Sequence, residues 1–164
     1  MPHPDYPITA GVRFLRERKI PFEPRLYDYE EHGGTIVAAR ELRVHEHSVI
    51  KTLVMETEDG RPLLVLMHGD REVSQKELAR SIGVKRVTPC STADVQRITG
   101  YVVGGVSPFG TRTPLPVYIE SSILQLPLIF INGGKRGFLV AVEPRHLVMA
   151  LSPTEVHVAI AEAP

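Results

Sequence analysis

At 164 residues, with 43% hydrophobic and 23% charged side chains, the chain has the make-up of one folded domain, residues 1–164, which excludes disordered and fibrous classes. Nineteen Lys and Arg balance nineteen Asp and Glu, so any contact with nucleic acid must come from a local basic patch and not from a global field. Cys90 is the single cysteine, which rules out an internal disulfide framework, and with no leader-like start and no apolar run of membrane-spanning length the expected setting is the cytoplasm, away from any membrane.

From the start of the chain, Thr9 is placed to cap a helix that carries Val12 and Leu15 on one face and ends before Pro21. "PRLYDYEEHGG" predicts a short strand around Leu26 and Tyr27 running into a turn at Gly33 and Gly34, and Thr35 to Leu42 predicts a helix favoured by two alanines. In "SVIKTLVMETEDGRPLLVLM" two β-rich runs flank Asp59 and Gly60, the pair expected of a hairpin closed by a type I′ turn. Ser74 and Glu77 stand at capping-box spacing before a helix that Gly83 would stop, and "CSTADVQRITG" offers a second capped helix closed by Gly100. Beyond it, "PVYIE", "PLIFIN" and "GFLVAV" read as strands, "EPRHLVMAL" as a helix with Pro144 in its first turn, and "EVHVAI" as a last strand. This mixed, non-alternating order favours an α+β class over a doubly wound sheet.

Lys51 stands out from pattern alone. In a strand "VIKTLVM", Val49, Lys51, Leu53 and Met55 share one face and Ile50, Thr52 and Val54 the other, both largely apolar. An ammonium cannot be buried there without a partner, so Lys51 either reaches a pocket mouth, an acid or a ligand, or snorkels to water. "VGGVSPFGTR" (103–112) and "INGGKRG" (131–137) are glycine-rich segments beside apolar strands. Glycine permits positive φ and close approach of backbone N–H groups to an anion or a carbonyl oxygen, although tight turns have the same composition. Neither segment fits a dinucleotide or phosphate-loop fingerprint, and the seven histidines show no metal-ligand spacing, so neither a cofactor nor a metal is expected. Ser107 lies outside a nucleophile elbow, and Cys90 is more ordinary as a small helix-start residue than as a thiolate. Tyr27 and His68, near strand ends, are placed to line a pocket, and Lys85, Arg86, Lys135 and Arg136 to give it a basic rim.

The motifs "VRFLRERKIPFE", "VIKTLV", "ITGYVVGGVSPFG" and "NGGKRGFLV", taken in this order, resemble the YbaK family, the prolyl-tRNA-synthetase-associated editing domain. The family's "TGYxxGGxSPxG" is matched by Thr99, Gly100, Tyr101, Gly104, Gly105, Ser107, Pro108 and Gly110, and its "GGKRG" by residues 133–137. The resemblance implies a mixed, barrel-like β-sheet core with flanking helices and a freestanding deacylase that cleaves mischarged tRNA. It makes Lys51 the main functional side chain, with Gly104 and Gly105 as backbone donors. The substrate would lie against Tyr27, Thr52 and His68, against Val106, Ser107, Pro108, Phe109 and Gly110, and against Asn132, Gly133 and Gly134. The implied partners are the 3′ end of a mischarged tRNA and prolyl-tRNA synthetase, with no DNA. Where cysteine-specific members carry Asp shortly after "GGKRG", this chain reads Phe138, Leu139 and Val140. The edited amino acid therefore stays open, with Cys first and Ala or Ser next. A module that binds a tRNA end or a synthetase without turnover stays beside the enzyme.

Overall fold

A computed structural model describes residues 5–162. Thr9 caps α1 (Ala10–Glu17) by accepting the Val12 N–H at 3.1 Å, and Val12 and Leu15 are fully buried on the helix's inner face. Burying side chains of that size is worth about 1.5–3 kcal/mol each, enough to fix which face of a short helix turns inward. The chain continues through β1 (Glu23–Leu26), α2 (Gly34–Leu42), β2 (Val49–Thr57), β3 (Pro62–His68), β4 (Arg71–Val73) and α3 (Gln75–Ile82). It then forms β5 (Val87–Pro89), α4 (Thr92–Thr99), β6 (Val117–Glu120), β7 (Ile129–Lys135), β8 (Phe138–Val142) and α5 (Pro144–Leu151), and ends with β9 (Thr154–Val156) and β10 (Ala159–Ala161). Ser74 accepts the Glu77 N–H and Ser91 the Asp94 N–H, both at 3.2 Å, while Gly83 and Gly100 close their helices at φ +77° and +81°.

The class is mixed α+β. The main sheet runs β1-β8-β7-β2-β3-β6-β9, with β2–β7, β3–β6 and β6–β9 parallel and the rest antiparallel. The long strand β2 pairs with β3 from Ile50↔His68 to Glu56↔Pro62. Its other edge is shared, with β7 taking Val49 and Ile50 and β5 taking Met55 to Thr57. Between these partners Lys51, Thr52, Leu53 and Val54 have no strand on that edge among the described residues, leaving a notch in the sheet.

Helices cover both faces. Ile50, Leu66, Ile131, Phe138 and Val140 pack with α1 and α5 on one face. On the other, Val49, Phe130, Leu139 and Ala141 pack under α2, and Leu53, Met55, Val65 and Met67 under α3. The two-sided covering of "VIKTLVM" follows.

Two expectations need correcting, and two strands were not foreseen. The Asp59–Gly60 turn is not type I′. Only Gly60 takes positive φ (+80°), with its N–H on Thr57 O at 3.0 Å, because Asp59 is held by hydrogen bonds to Thr57 and Arg61. "EVHVAI" is two strands. It breaks at His157 and Val158, where Glu120 takes the Val158 and Ala159 N–H groups (2.6 and 3.0 Å), and β10 leaves the main sheet to pair with β4. Strands β4 and β5, three residues each, are too short for periodicity to reveal.

Candidate active site

Alternation along β2 places Lys51 on the face covered by α2 and α3, with Thr52 on the opposite face. The Lys51 side chain is 23% exposed; its ammonium donates to the Arg71 carbonyl and lies 4.0 Å from the Glu162 carboxylate. Of the two readings left open by pattern, the ammonium found a partner and did not run free into water. Arg71 is positioned by its own neighbourhood. Asp70 pairs with His47 at 2.8 Å and with Arg71 at 3.3 Å, and Thr35 at the start of α2 donates to Gly69 O at 3.1 Å. Burial pushes the Asp70 carboxyl up, but the His47 hydrogen bond, His47 and Arg71 outweigh it and hold the carboxyl below its usual range.

One register step beyond Ile50↔Ile131, Asn132 follows Lys51 on the same face. Its amide ties the two glycine segments together. Nδ2 donates to Gly104 O at 3.2 Å, while Oδ1 accepts from Gly134 N and Lys135 N at 2.7 and 3.1 Å. The Arg136 guanidinium donates to Val103 O at 3.0 Å and lies 5.4 Å from the Tyr29 ring centre. The segments therefore meet, and this gives a reason for their composition. A Cβ on Gly105 would stand 2.8 Å from Arg136 N and 3.0 Å from the Lys135 carbonyl carbon; on Gly133 it would meet the Phe138 ring at 2.5 Å, and on Gly134 the Tyr101 ring at 2.7 Å. Gly104 is exposed at φ +91°, whereas the buried Gly105 has its N–H on Val102 O at 2.8 Å.

Tyr27 joins this face. It packs with Val49, Leu139 and the α2 alanines, and its phenol is pushed up chiefly by burial. The other residues expected to touch substrate are elsewhere. His68 is 1% exposed on the opposite face, with its ring nitrogens 2.7 Å from His47 O and Ser122 Oγ. Ser107 and Phe109 have no exposure; the serine hydroxyl accepts the Phe109 N–H at 3.1 Å and the phenyl ring lies in the core beneath α1. Val106 packs with Val54 and Tyr101, and Pro108 and Gly110 border a separate groove of about 340 Å3 beside α1 and α5. These residues hold the loop to the body of the protein. Thr52 differs, because its hydroxyl is buried without a hydrogen-bond partner. Val54, two residues on, accepts from Cys90 N at 3.0 Å on the notched edge, so the Thr52 N–H and C=O turn toward the notch as well. Burial raises the Cys90 thiol to about 11, which removes it as a thiolate.

Sequence reasoning missed Arg71, Glu162, Tyr29 and the His47–Asp70 pair. Their partners are 20 residues or more away in the chain, and no local pattern encodes such a meeting.

A mixed sheet whose covered face carries a tethered lysine beside two interlocked glycine turns defines a domain able to grip a small polar group at its edge. Residues 30–150 match the family model described as the aminoacyl-tRNA editing domain, and the chain belongs to that family. It is 28% identical over 141 residues to EbsC of Enterococcus faecalis, a protein assigned as a Cys-tRNA(Pro)/Cys-tRNA(Cys) deacylase, covering 85% of this chain and 86% of that one. It is 32% identical over 104 residues to the proline–tRNA ligase of Moorella thermoacetica, covering 63% of this chain and 18% of the ligase. A crystal structure of a protein described as a trans-editing enzyme for prolyl tRNA synthetase superposes with TM-score 0.82 at 22% identity, covering 96% of this chain and 100% of that one. No helix among the described residues is long and apolar enough to cross a membrane.

Proposed function

We propose that the protein is a freestanding deacylase that hydrolyses the ester between an amino acid and the 3′-terminal ribose of mischarged tRNA. The observation that carries this reading is Asn132 beside Lys51 on one face of the sheet, tying the Gly104 turn to that face, with the ammonium held by a single carbonyl and a half-exposed carboxylate. Both partners are exchangeable for substrate oxygens. Water adds to the ester carbonyl, the bond to the ribose oxygen breaks, and the products are the free amino acid and a tRNA bearing its terminal hydroxyl. An aminoacyl ester is already activated, so charge stabilisation and positioning suffice without a strong general base. Lys51 supplies the positive charge beside the developing oxyanion, and the Gly104 N–H supplies a neutral donor. Gly105, whose N–H is on Val102, acts by letting the two turns close.

Cys-tRNA(Pro) is the first substrate, on the likeness to EbsC, and Ala- or Ser-tRNA the next. A separate editing site is physically needed, because an apolar synthetase pocket rejects a slightly smaller side chain by only about 10- to 200-fold. Prolyl-tRNA synthetase is the fitting partner. The reaction runs in the cytoplasm, where tRNA is charged, and residues 1–164 act as one domain.

Single-turnover deacylation of Cys-, Ala- and Ser-tRNA, with wild type and Lys51→Ala, tests the proposal. Cleavage of one substrate and its loss by at least 100-fold in a folded Lys51→Ala protein are expected. No cleavage at excess enzyme would sink the deacylase reading and leave a module that binds the tRNA end, a reading favoured by the buried apolar run Phe138, Leu139 and Val140 in the stretch where the resemblance calls for an Asp.

A further inference from the structure

A groove of about 420 Å3 runs between α3 and β5, and its charged lining residues are Lys76, Arg80, Lys85 and Arg86, with no carboxylate. All four are exposed. Arg80 is offset by Glu77 at 3.2 Å, but among the described residues the side-chain nitrogens of Lys76, Lys85 and Arg86 have no carboxylate oxygen within 4.0 Å. Glu58 takes the Arg86 backbone N–H at 3.2 Å, not its guanidinium. In a chain whose formal charge is zero, this is a local concentration of uncompensated positive charge.

Its place in the fold gives it meaning. Leu78 and Ala79 of α3 and Val87 of β5 pack on Leu53, Met55 and Met67, the side of the sheet to which Lys51 belongs. β5 pairs along the end of β2, with Val87 opposite Thr57. Six residue steps of strand lead from Thr57 to Lys51, about 20 Å at roughly 3.3 Å per residue. A stacked strand rises about 3.4 Å per nucleotide, so that span is on the order of six stacked nucleotides and fewer if they are extended. No aromatic side chain lines the groove, so it offers charge to a backbone and no platform for bases.

We propose that the α3–β5 groove binds the phosphodiester backbone of the substrate tRNA upstream of its aminoacylated end, through Lys76, Lys85 and Arg86. The proposal rests on the deacylase reading for the identity of the RNA. The groove contributes affinity common to all tRNA sequences, and the cleft at Lys51 reads the charged end.

The test is the triple variant Lys76→Gln/Lys85→Gln/Arg86→Gln, with a thermal melt to show that these surface changes leave the fold intact. Fluorescence anisotropy measures binding of uncharged tRNA across a salt series, and single-turnover assays compare full-length aminoacyl-tRNA with 3′-aminoacyl-adenosine. Expected are a Kd for tRNA at least tenfold weaker, a slope of log affinity against log salt shallower by about 2, and unchanged cleavage of aminoacyl-adenosine. If wild type cleaves no ester yet the triple variant still loses tRNA affinity, the deacylase reading falls and the groove stands. Wild-type affinity and slope in the variant would overturn the groove, as would equal losses on both substrates. A variant that binds tRNA normally but no longer binds purified prolyl-tRNA synthetase would overturn it in favour of an acidic protein surface.

Discussion

The tension at Lys51 was legible because burial and charge conflict: a strand apolar on both faces leaves an ammonium either to find a partner or to reach water. The identity of the partners was not legible, since Arg71 and Glu162 meet Lys51 only through the β4–β10 pairing. Thr52, the next residue, carries a different tension. Its buried hydroxyl has no partner, and such a group costs about 1–3 kcal/mol relative to one that is satisfied. Thr52→Val keeps the shape and removes the orphan. Its urea midpoint should rise, by up to about 1 kcal/mol in stability, while single-turnover cleavage of aminoacyl-tRNA falls if the hydroxyl waits for substrate. A variant both less stable and fully active would show that the hydroxyl serves the fold and not the substrate.

Among the elements, those with caps were read well, because Thr9, Ser74 and Ser91 each satisfy one free first-turn N–H of a helix by a contact three residues long. Elements defined by distant pairing were not, as the split of the last strand at His157 shows. The glycine turns fall between these cases. Their need for small residues was legible, but its causes were not: they are the opposite turn at Gly105, the Phe138 ring at Gly133 and the Tyr101 ring at Gly134. Gly105→Ala should therefore lose about 1–3 kcal/mol in urea unfolding, as overpacking does, before any question of substrate arises. Stability equal to wild type would mean that the Lys135–Arg136 turn yields without cost and that the interlock is loose.

For the molecule as a whole, acid tolerance is set in part at His68. Burial is the main cause that pushes its imidazole below 6.5, with the nearby His47 adding to it against the hydrogen bond to the His47 carbonyl; the two rings stack 3.7 Å apart. The unfolded chain takes up a proton near the ordinary value while the folded one resists. Stability is therefore present above about pH 6.5 and lost as pH falls from there through the depressed native value. His68→Gln should flatten the fall of melting temperature between about pH 7 and pH 5, though starting lower; an unchanged slope would assign acid sensitivity to other groups. The α+β class and the order of most elements were readable along the chain. Alternation separated Lys51 from Thr52, but which face His68, Ser107 and Phe109 join was not readable, because it depends on which neighbours cover each side of β2.

The interlock of the two glycine turns also bears on how such a site can diversify. A side chain at Gly105 would strike the Lys135–Arg136 backbone, one at Gly133 the Phe138 ring and one at Gly134 the Tyr101 ring, so a change at any of them must arrive with a second change in the group it strikes. Single-step adaptation to a new amino acid is left to positions on the Lys51 side that do not hold the turns, such as Leu139 on β8, which packs with Tyr27 and Val49, and the exposed Ile36 on α2. Descendants of this fold with different tastes should keep the glycines and differ at those two places.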